Sequence, residues 1–278
     1  MPREIRRGRG KLELDLQRLR TAWERQEEGK GLIGGDPRRR PRWVHPIPEE
    51  PAPWFRFGQS SEAHRQRLVT FLTSAPAEIE IGAGSGHFIA GWARKHPERH
   101  FLVFEVRWKF ANKTYKKTVG KGLTNVWVSD DDARVTIPEV VPDESIDVFH
   151  ILMPDPWWRP KHQARRIFSP WFLDVLARKL RPGGILRFET DVEGYPEFVE
   201  SLVADHPLFS DHRPHLGERF ADAPLTLRQQ WCVEHGVPIY KRFFQRLPAP
   251  EGETASRLSQ NVIYSPRHGR EEIPNSDN

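Results

Sequence analysis

The stretch EIEIGAGSGHF, residues 78–88, decides the fold class. Alternating apolar and acidic residues over 78–82 predict a short strand that ends in glycine, and a helix is expected from about His87 to Lys95. Three glycines between them allow a tight turn and a close approach of the backbone to a ligand. They are Gly82, Gly84 and Gly86. A strand, a glycine-rich turn and a helix in this order predict the first unit of a doubly wound α/β sheet.

The rest of the middle region repeats the alternation of strand and helix patterns. Further strands are predicted at residues 100–106, 125–130, 145–153 and 185–191. Helices are predicted at residues 61–75, 107–122, 169–184 and 195–207. Repeated β-α-β units indicate a parallel sheet with right-handed crossovers and helices on both faces. Residues 208–247 are expected to add a closing antiparallel strand or pair of strands.

The two ends of the 278-residue chain differ in composition from its middle. Residues 1–58 are proline-rich and include the basic run PRRRPR, and residues 248–278 are polar. We therefore expect an N-terminal extension over 1–58, one domain over 59–247 and a C-terminal tail over 248–278.

Composition also limits the class of protein. Cys232 is the only cysteine, which excludes an intrachain disulfide and a cysteine-based zinc site. No apolar run approaches the ~20 residues of a membrane helix. We expect a cytoplasmic protein without a membrane segment or a bound metal. The net charge of +5 is compatible with an anionic partner, although composition alone equally allows a basic surface without one.

Acidic residues stand at three successive strand ends around the glycine turn. Glu80 precedes Gly82, Glu105 ends the second strand where a ribose-binding acid is expected, and Asp132 follows the third strand. Asp132 could accept a hydrogen bond from an adenine amino group. His87 occupies the position where a dinucleotide-binding fingerprint needs its third glycine. The pattern therefore favours S-adenosylmethionine over NAD.

A second motif, MPDPWW at residues 153–158, follows the fourth predicted strand. Pro154 and Pro156 fix φ on both sides of Asp155, so the backbone sets the direction of its carboxylate. Trp157 and Trp158 offer flat faces for stacking on a purine. Cations that could hold phosphates follow them, namely Arg159, Lys161, Arg165 and Arg166. The alternative is a buried tryptophan pair that anchors a charged surface loop.

Together these motifs resemble those of the tRNA (guanine-N7-)-methyltransferase family. The segments that carry the resemblance lie within residues 76–247 and are EIEIGAGSGHF, FEV, DDDA, MPDPWW-x-x-KHQARR, RPGG-x-x-x-FETD and PLTLRQ…HGVPIY. The resemblance implies a class I methyltransferase fold with a seven-stranded type of sheet, and S-adenosylmethionine as the methyl donor. It further implies transfer of the methyl group to N7 of guanine in tRNA, at position 46 of the variable loop.

The resemblance also implies roles for individual residues. Contacts to the cofactor fall to Glu80, Gly82, Gly84, Gly86, Glu105, Asp132 and Asp155, and Asp155 is also the acidic residue of the catalytic site. Contacts to the substrate fall to Arg159, Asp191, Thr226 and Gln229, and the residues themselves suggest Trp157, Arg165, Arg166 and the basic segment 115–122. The chain departs from the family pattern Thr-x-x-Glu, because Gln229 replaces the acid and Arg228 stands where an aromatic residue is common.

The chemistry of guanine N7 fits a site built from carboxylates. N7 carries an in-plane lone pair and no proton, so alignment matters more than a general base. Asp155 or Asp191 is expected to accept hydrogen bonds from guanine N1–H and the 2-amino group. Two alternatives remain at this stage: a methyltransferase of the same fold that acts on another RNA, a protein or a small molecule, and a non-catalytic RNA-binding protein. The sequence allows a monomer or a homodimer.

Overall fold

The structure is a computed structural model that describes residues 49–50, 52–158 and 165–250. Most of the predicted extension, the tail beyond residue 250, and Arg159 and Lys161 of the basic run lie outside the described residues. The domain boundaries at 58 and 247 stay a prediction.

Seven strands of the described residues form one sheet. They are β1 Trp54–Phe55, β2 Ala77–Ile81, β3 His100–Phe104, β4 Val126–Ser129, β5 Ile146–Leu152, β6 Leu180–Thr190 and β7 Tyr240–Gln245. Their order across the sheet is β1-β4-β3-β2-β5-β6-β7, and only β7 runs antiparallel to its neighbour. The doubly wound, mostly parallel α/β fold expected from the sequence is therefore confirmed.

Seven α-helices connect these strands in the described part of the chain. They are α1 Glu62–Thr73, α2 His87–Lys95, α3 Trp108–Lys117, α4 Ala133–Val140, α5 Pro170–Lys179, α6 Tyr195–Ala204 and α7 Leu227–Glu234. Two 3₁₀ segments, Val119–Lys121 and Pro214–Phe220, complete the connections. The hydroxyl groups of Ser61, Ser169 and Thr226 cap α1, α5 and α7 by accepting backbone N–H groups of the first turn.

The structure differs from the sequence-based prediction at four elements. The helix predicted over 169–184 ends at Lys179, because Pro182 and Gly183, which has φ of +83°, cannot continue a helix; they lie instead in β6, which begins at Leu180. Helices α4 and α7 were not predicted; each has eight residues, and α4 contains Pro138. The buried strand β1 was also missed, since two residues carry no period that could be read.

The strand order places a switch point at β2. The chain runs outward from β2 through β3 to β4, then returns to place β5 on the other side of β2. Ligands of such sheets bind beyond the carboxyl ends of the strands at this point. We call this edge, formed by the residues that follow β2 to β6, the mouth of the sheet.

The two faces of the sheet are buried in different ways. One face is almost wholly apolar and packs its isoleucine, leucine and phenylalanine side chains against α1, α4, α5 and α6. The other face carries a row of ionisable side chains across neighbouring strands, in which Glu80 is in register with His150 and His150 with Arg187. All three are buried. This polar row leads to the mouth.

Candidate active site at the mouth of the sheet

The glycine turn opens a space at the end of β2. Gly82 and Gly84 have φ of +85° and +56°, and an added Cβ at either would meet nothing within 4 Å. Gly86 serves packing instead, since a Cβ there would lie 2.7 Å from Thr114 Oγ1 of α3. The turn is therefore open toward the mouth at its first two glycines and closed against α3 at its third.

Glu105 ties the glycine turn to the end of β3. One carboxylate oxygen accepts the backbone N–H of Gly84 at 2.9 Å, and the other accepts the N–H and Nε of Arg107, both at 3.0 Å. Only 4% of Glu105 is exposed. The side chain thus stands beside the open turn, where the sequence predicted a cofactor contact.

Glu80 presents a buried carboxyl group with few partners. No described residue donates a hydrogen bond to its Oε2. Burial raises the pKa of Glu80 to about 8; the positive charge of Arg187 lowers it in part, and the negative charge of Glu105 raises it further. A carboxyl group in this state can accept a cationic ligand group, which would replace the missing partner.

Glu78 lies two residues earlier on the same face and is fully compensated. Its carboxylate contacts Trp92 Nε1, His150 Nε2 and a guanidinium nitrogen of Arg219, each at 2.8 Å. Burial alone would raise the pKa of Glu78, but His150, Trp92 and Arg219 outweigh it and lower the pKa to about 2. The contrast marks Glu78 as structural and Glu80 as available for a ligand.

The three aspartates after β4 have separate functions. Asp130 pairs with Arg56 and accepts Trp54 Nε1, which fastens the segment around β1. Asp131 accepts the backbone N–H of Phe57 at 2.5 Å. Asp132 caps α4 and pairs with Arg134 at 2.6 Å. Asp132 lies at the strand end, as predicted, although Arg134 holds its carboxylate.

The segment around Asp155 has a strained backbone. Met153 and Trp157 have φ of +54° and +47°, a region that side-chain-bearing residues seldom adopt. The backbone N–H of Met153 donates to the carbonyl of Glu189 at 2.7 Å, which fixes the segment to β6. Asp155 between them is exposed. Its carboxylate therefore stands at the open mouth, in agreement with its predicted position, while its catalytic role stays a proposal.

The two described arginines of the basic run, Arg165 and Arg166, differ in exposure. Arg166 is 1% exposed, and its guanidinium donates to the carbonyl oxygens of Pro156 and Trp157 at 2.8 and 3.3 Å. It also lies 5.0 Å from the ring centre of Trp158. Burial corrects the expectation that Arg166 holds a phosphate: it anchors the segment from within.

Arg165 lies at the surface beside Trp157. Arg165 is exposed, and its guanidinium lies 5.2 Å from the ring centre of Trp157. Trp158, by contrast, packs edge-on against Tyr195 and Phe198 of α6. The alternative of an anchoring tryptophan thus fits Trp158, and Trp157 and Arg165 remain candidates for contact with substrate.

The position where the family has an acid is occupied by a buried amide. Gln229 is 1% exposed and forms a capping box with Thr226 at the start of α7. Its Nε2 donates to Glu189 Oε2 at 2.6 Å, and Arg187 donates to the other oxygen of Glu189 at 2.7 Å. Thr226 caps α7 and Gln229 joins α7 to β6, so both side chains have partners within the protein, and their contact with substrate stays a prediction.

Asp191 also has a partner that the sequence did not indicate. Arg228 donates to its Oδ2 from Nε at 2.9 Å and from a terminal nitrogen at 2.5 Å. The same guanidinium lies 4.3 Å from the ring centre of Trp231. A substrate group that bound Asp191 would therefore share its carboxylate with Arg228.

Sequence reasoning missed several polar groups of the site, above all Arg187, Glu189 and Tyr195. The charged pair in RFET, within a strand expected to be buried, was the available signal for the first two. Tyr195 is fully buried, its hydroxyl has no hydrogen-bond partner among the described residues, and burial raises its pKa. The charge of Arg166 lowers this pKa in part and the charge of Asp155 raises it, and the ring of Tyr195 packs edge-on against Trp158.

No group of three or more histidine, cysteine or acidic side chains is arranged to hold a metal ion in residues 49–50, 52–158 and 165–250. No helix in that part of the chain has the length and apolar character needed to span a bilayer.

The chain is similar in sequence to known methyltransferases. A family model described as "Putative methyltransferase" matches residues 74–241. The tRNA (guanine-N(7)-)-methyltransferase of Myxococcus xanthus is 35% identical over 62% of this chain and 84% of its own length. The enzyme of the same name from Nitrosomonas europaea is 32% identical over 63% of this chain and 79% of its own. Among solved structures, the aminoglycoside resistance methyltransferase NpmB1 matches 66% of this chain and 93% of its own, with 15% identity and a TM-score of 0.47.

Proposed function

The chain belongs to the tRNA (guanine-N7-)-methyltransferase family, and we propose that it transfers a methyl group from S-adenosylmethionine to N7 of a guanine in tRNA. The single observation that carries the proposal is that the glycine turn and Asp155 lie at the same mouth of the sheet. Glu80, whose Oε2 has no hydrogen-bond donor among the described residues, lies near the end of β2, the open glycine turn follows it, and the exposed Asp155 lies after the neighbouring strand β5.

The residues at the carboxyl ends of β2, β3 and β4 fit the proposed cofactor. Glu80 offers a buried carboxylate oxygen without a donor among the described residues, which suits an ammonium group. Gly82 and Gly84 leave open space, Glu105 suits ribose hydroxyls, and Asp132 suits the adenine amino group. S-adenosylmethionine held there supplies an electrophilic methyl group on a positively charged sulfur.

The residues of the chain then position the guanine. Its N7 already has a lone pair, so no side chain needs to remove a proton, and the main requirement is alignment. We propose that Asp155 accepts a hydrogen bond from the guanine and that its negative charge stabilises the positive charge that develops on the purine. The two restricted backbone positions around Asp155 and the buried anchor Arg166 keep this carboxylate in place.

Trp157 and Arg165 are proposed to receive the base and its phosphate. A base that leaves the stacked core of a folded RNA loses a few kcal/mol of stacking, and an aromatic face recovers part of it. Both side chains lie on the outer side of the Asp155 segment. Position 46 of the variable loop is the proposed target, and the cytoplasm, which holds tRNA and the methyl donor, is the proposed location.

A direct test uses purified protein, labelled S-adenosylmethionine and unmodified tRNA transcripts, followed by chemical cleavage at 7-methylguanosine. We expect label in 7-methylguanosine at one variable-loop guanine. Label in any other nucleoside, or in no RNA while the protein still binds S-adenosylmethionine, would reject the proposed substrate.

A further inference from the structure

A basic groove lies beside the glycine turn, outside the mouth. It has a volume of about 430 Å³ and lies between the start of α2, the length of α3 and the first residue of α7. Its principal lining residues are His87, Lys113, Lys116, Lys117, Lys121 and Leu227. We call it the lysine groove.

The lysine groove concentrates positive charge without compensation. None of its lining residues is acidic, and no ion pair between described residues includes any of its four lysines. Lys117 Nζ lies 3.1 Å from both ring nitrogens of His87. Burial lowers the pKa of Lys117, and the positive charges of Lys113 and Lys121, which repel its own, lower it further. A bound anion would relieve that repulsion.

The arrangement of the lysines suits a chain of phosphates. Lys113 and Lys117 are one turn apart, about 6 Å along the axis of α3, and Lys121 lies beyond the end of that helix. Cations spread over more than one turn can contact successive phosphates, whereas a single small anion would use only part of them.

The far end of the lysine groove leads to the substrate side of the mouth. Leu227, which is 51% exposed, begins α7, and the next residue, Arg228, pairs with Asp191. Trp231 extends the exposed apolar face of α7; its ring stacks on His235, and the Arg228 guanidinium lies 4.3 Å from its centre. An anionic strand in the groove would therefore pass an apolar rim before it reached the acids at the mouth.

We propose that the lysine groove binds the sugar–phosphate backbone of the substrate RNA beside the target nucleoside. The proposal rests on the proposed function only in taking RNA as the substrate. It adds His87, Lys113 and Leu227 to the basic segment that the sequence pointed to, and it places the backbone on the side of the glycine turn.

The test compares two charge-matched double variants by direct binding. Lys116→Glu with Lys121→Glu changes the groove, and Arg65→Glu with Lys241→Glu makes the same change of net charge on other elements. Binding of an unmodified tRNA transcript is measured by fluorescence anisotropy over a range of salt concentrations, and melting temperatures establish that both variants fold.

We expect the groove variant to bind tRNA at least tenfold more weakly at low salt. The slope of log affinity against log salt should fall by about 1.5, as for two lost phosphate contacts. The control should change affinity less than threefold, and S-adenosylmethionine should bind both variants within twofold of the unchanged protein. Equal tRNA affinity and slope in the two variants would overturn the proposal, as would loss of S-adenosylmethionine binding alone, which would assign the lysines to the cofactor.

The outcome separates this proposal from the proposed function. Methylation of tRNA with unchanged KM in the groove variant would reject the groove and leave the function intact. If the unchanged protein bound tRNA more tightly than the groove variant but methylated no tRNA, the result would support the groove and reject the proposed function.

Discussion

At the scale of single residues, Glu80 and Glu78 show how partners decide the state of a buried acid. The two carboxyl groups lie on the same face of β2 and are almost fully buried. Glu78 has three donors and a pKa of about 2, whereas burial raises the pKa of Glu80 to about 8. The chain thus keeps one acid charged for its own stability and leaves the other without a full set of partners at the proposed cofactor position.

The raised pKa of Glu80 makes stability depend on pH. An unfolded chain releases this proton near the ordinary value of 4.5, whereas the folded protein keeps it up to about pH 8. The folded state therefore binds more protons in this window, and the free energy of unfolding should fall as pH rises from 4.5 to 8.

Urea unfolding of Glu80→Gln at several pH values measures this contribution. The variant should lose less stability than the unchanged protein between pH 4.5 and 8, because glutamine does not ionise. Parallel pH profiles for the two proteins would contradict the account of Glu80.

Asp155 should matter for turnover and little for folding. Because its side chain is exposed, Asp155→Asn should leave the melting temperature nearly unchanged. Loss of its negative charge beside the methylated purine should lower kcat by about 100-fold or more. Isothermal titration with S-adenosylmethionine provides the control, in which binding should weaken modestly at most; near-normal turnover would remove Asp155 from the mechanism.

At the scale of elements, the contact between β6 and α7 explains the replacement of the family acid. Gln229 donates to Glu189, which also accepts from Arg187. A glutamate at position 229 would place a second carboxylate against Glu189 in a buried site. The contact with Glu189 therefore favours an amide at position 229. The departure from the family pattern concerns the packing of α7 on β6.

Restoring the acid alone should destabilise the protein. Gln229→Glu leaves a buried charge without compensation, which costs about 3 kcal/mol or more in the free energy of unfolding. The double variant Glu189→Gln with Gln229→Glu exchanges the two groups and should recover most of that loss. Chemical denaturation of the single and double variants gives the coupling energy. Additive effects of the two changes would show that these side chains do not interact as described.

At the scale of the whole molecule, local patterns were sufficient for part of the fold and of the site. The end of β2, the glycine turn and the start of α2 follow from neighbouring residues, as do the positions of Glu105, Asp132 and Asp155 after their strands. Gln229 with Glu189, and Arg228 with Asp191, are pairs 40 and 37 positions apart, and no local period indicates them. The burial of Arg166 is equally non-local, because α6 and the Asp155 segment close around it.

The positions of the charged residues in the fold say more about a partner than the net charge does. A net charge of +5 says little by itself, yet the fold gathers four lysines into one groove beside the proposed cofactor site. The lysines lie within nine positions on α3 and the 3₁₀ segment that follows it, and residues of α2 and α7 complete the groove around them. Composition therefore allowed an anionic partner, and the arrangement in space indicates where it would bind.

The most direct test of methyl transfer to N7 replaces that one nitrogen of the substrate with a C–H group. A tRNA transcript with 7-deazaguanosine at the methylated position keeps the shape and hydrogen-bonding edge of guanine but has no N7 lone pair. Methyl transfer from labelled S-adenosylmethionine should be abolished, while this transcript still competes with unmodified tRNA for binding. Continued transfer to the 7-deaza transcript would contradict the account, because the methyl group would then go to a different atom.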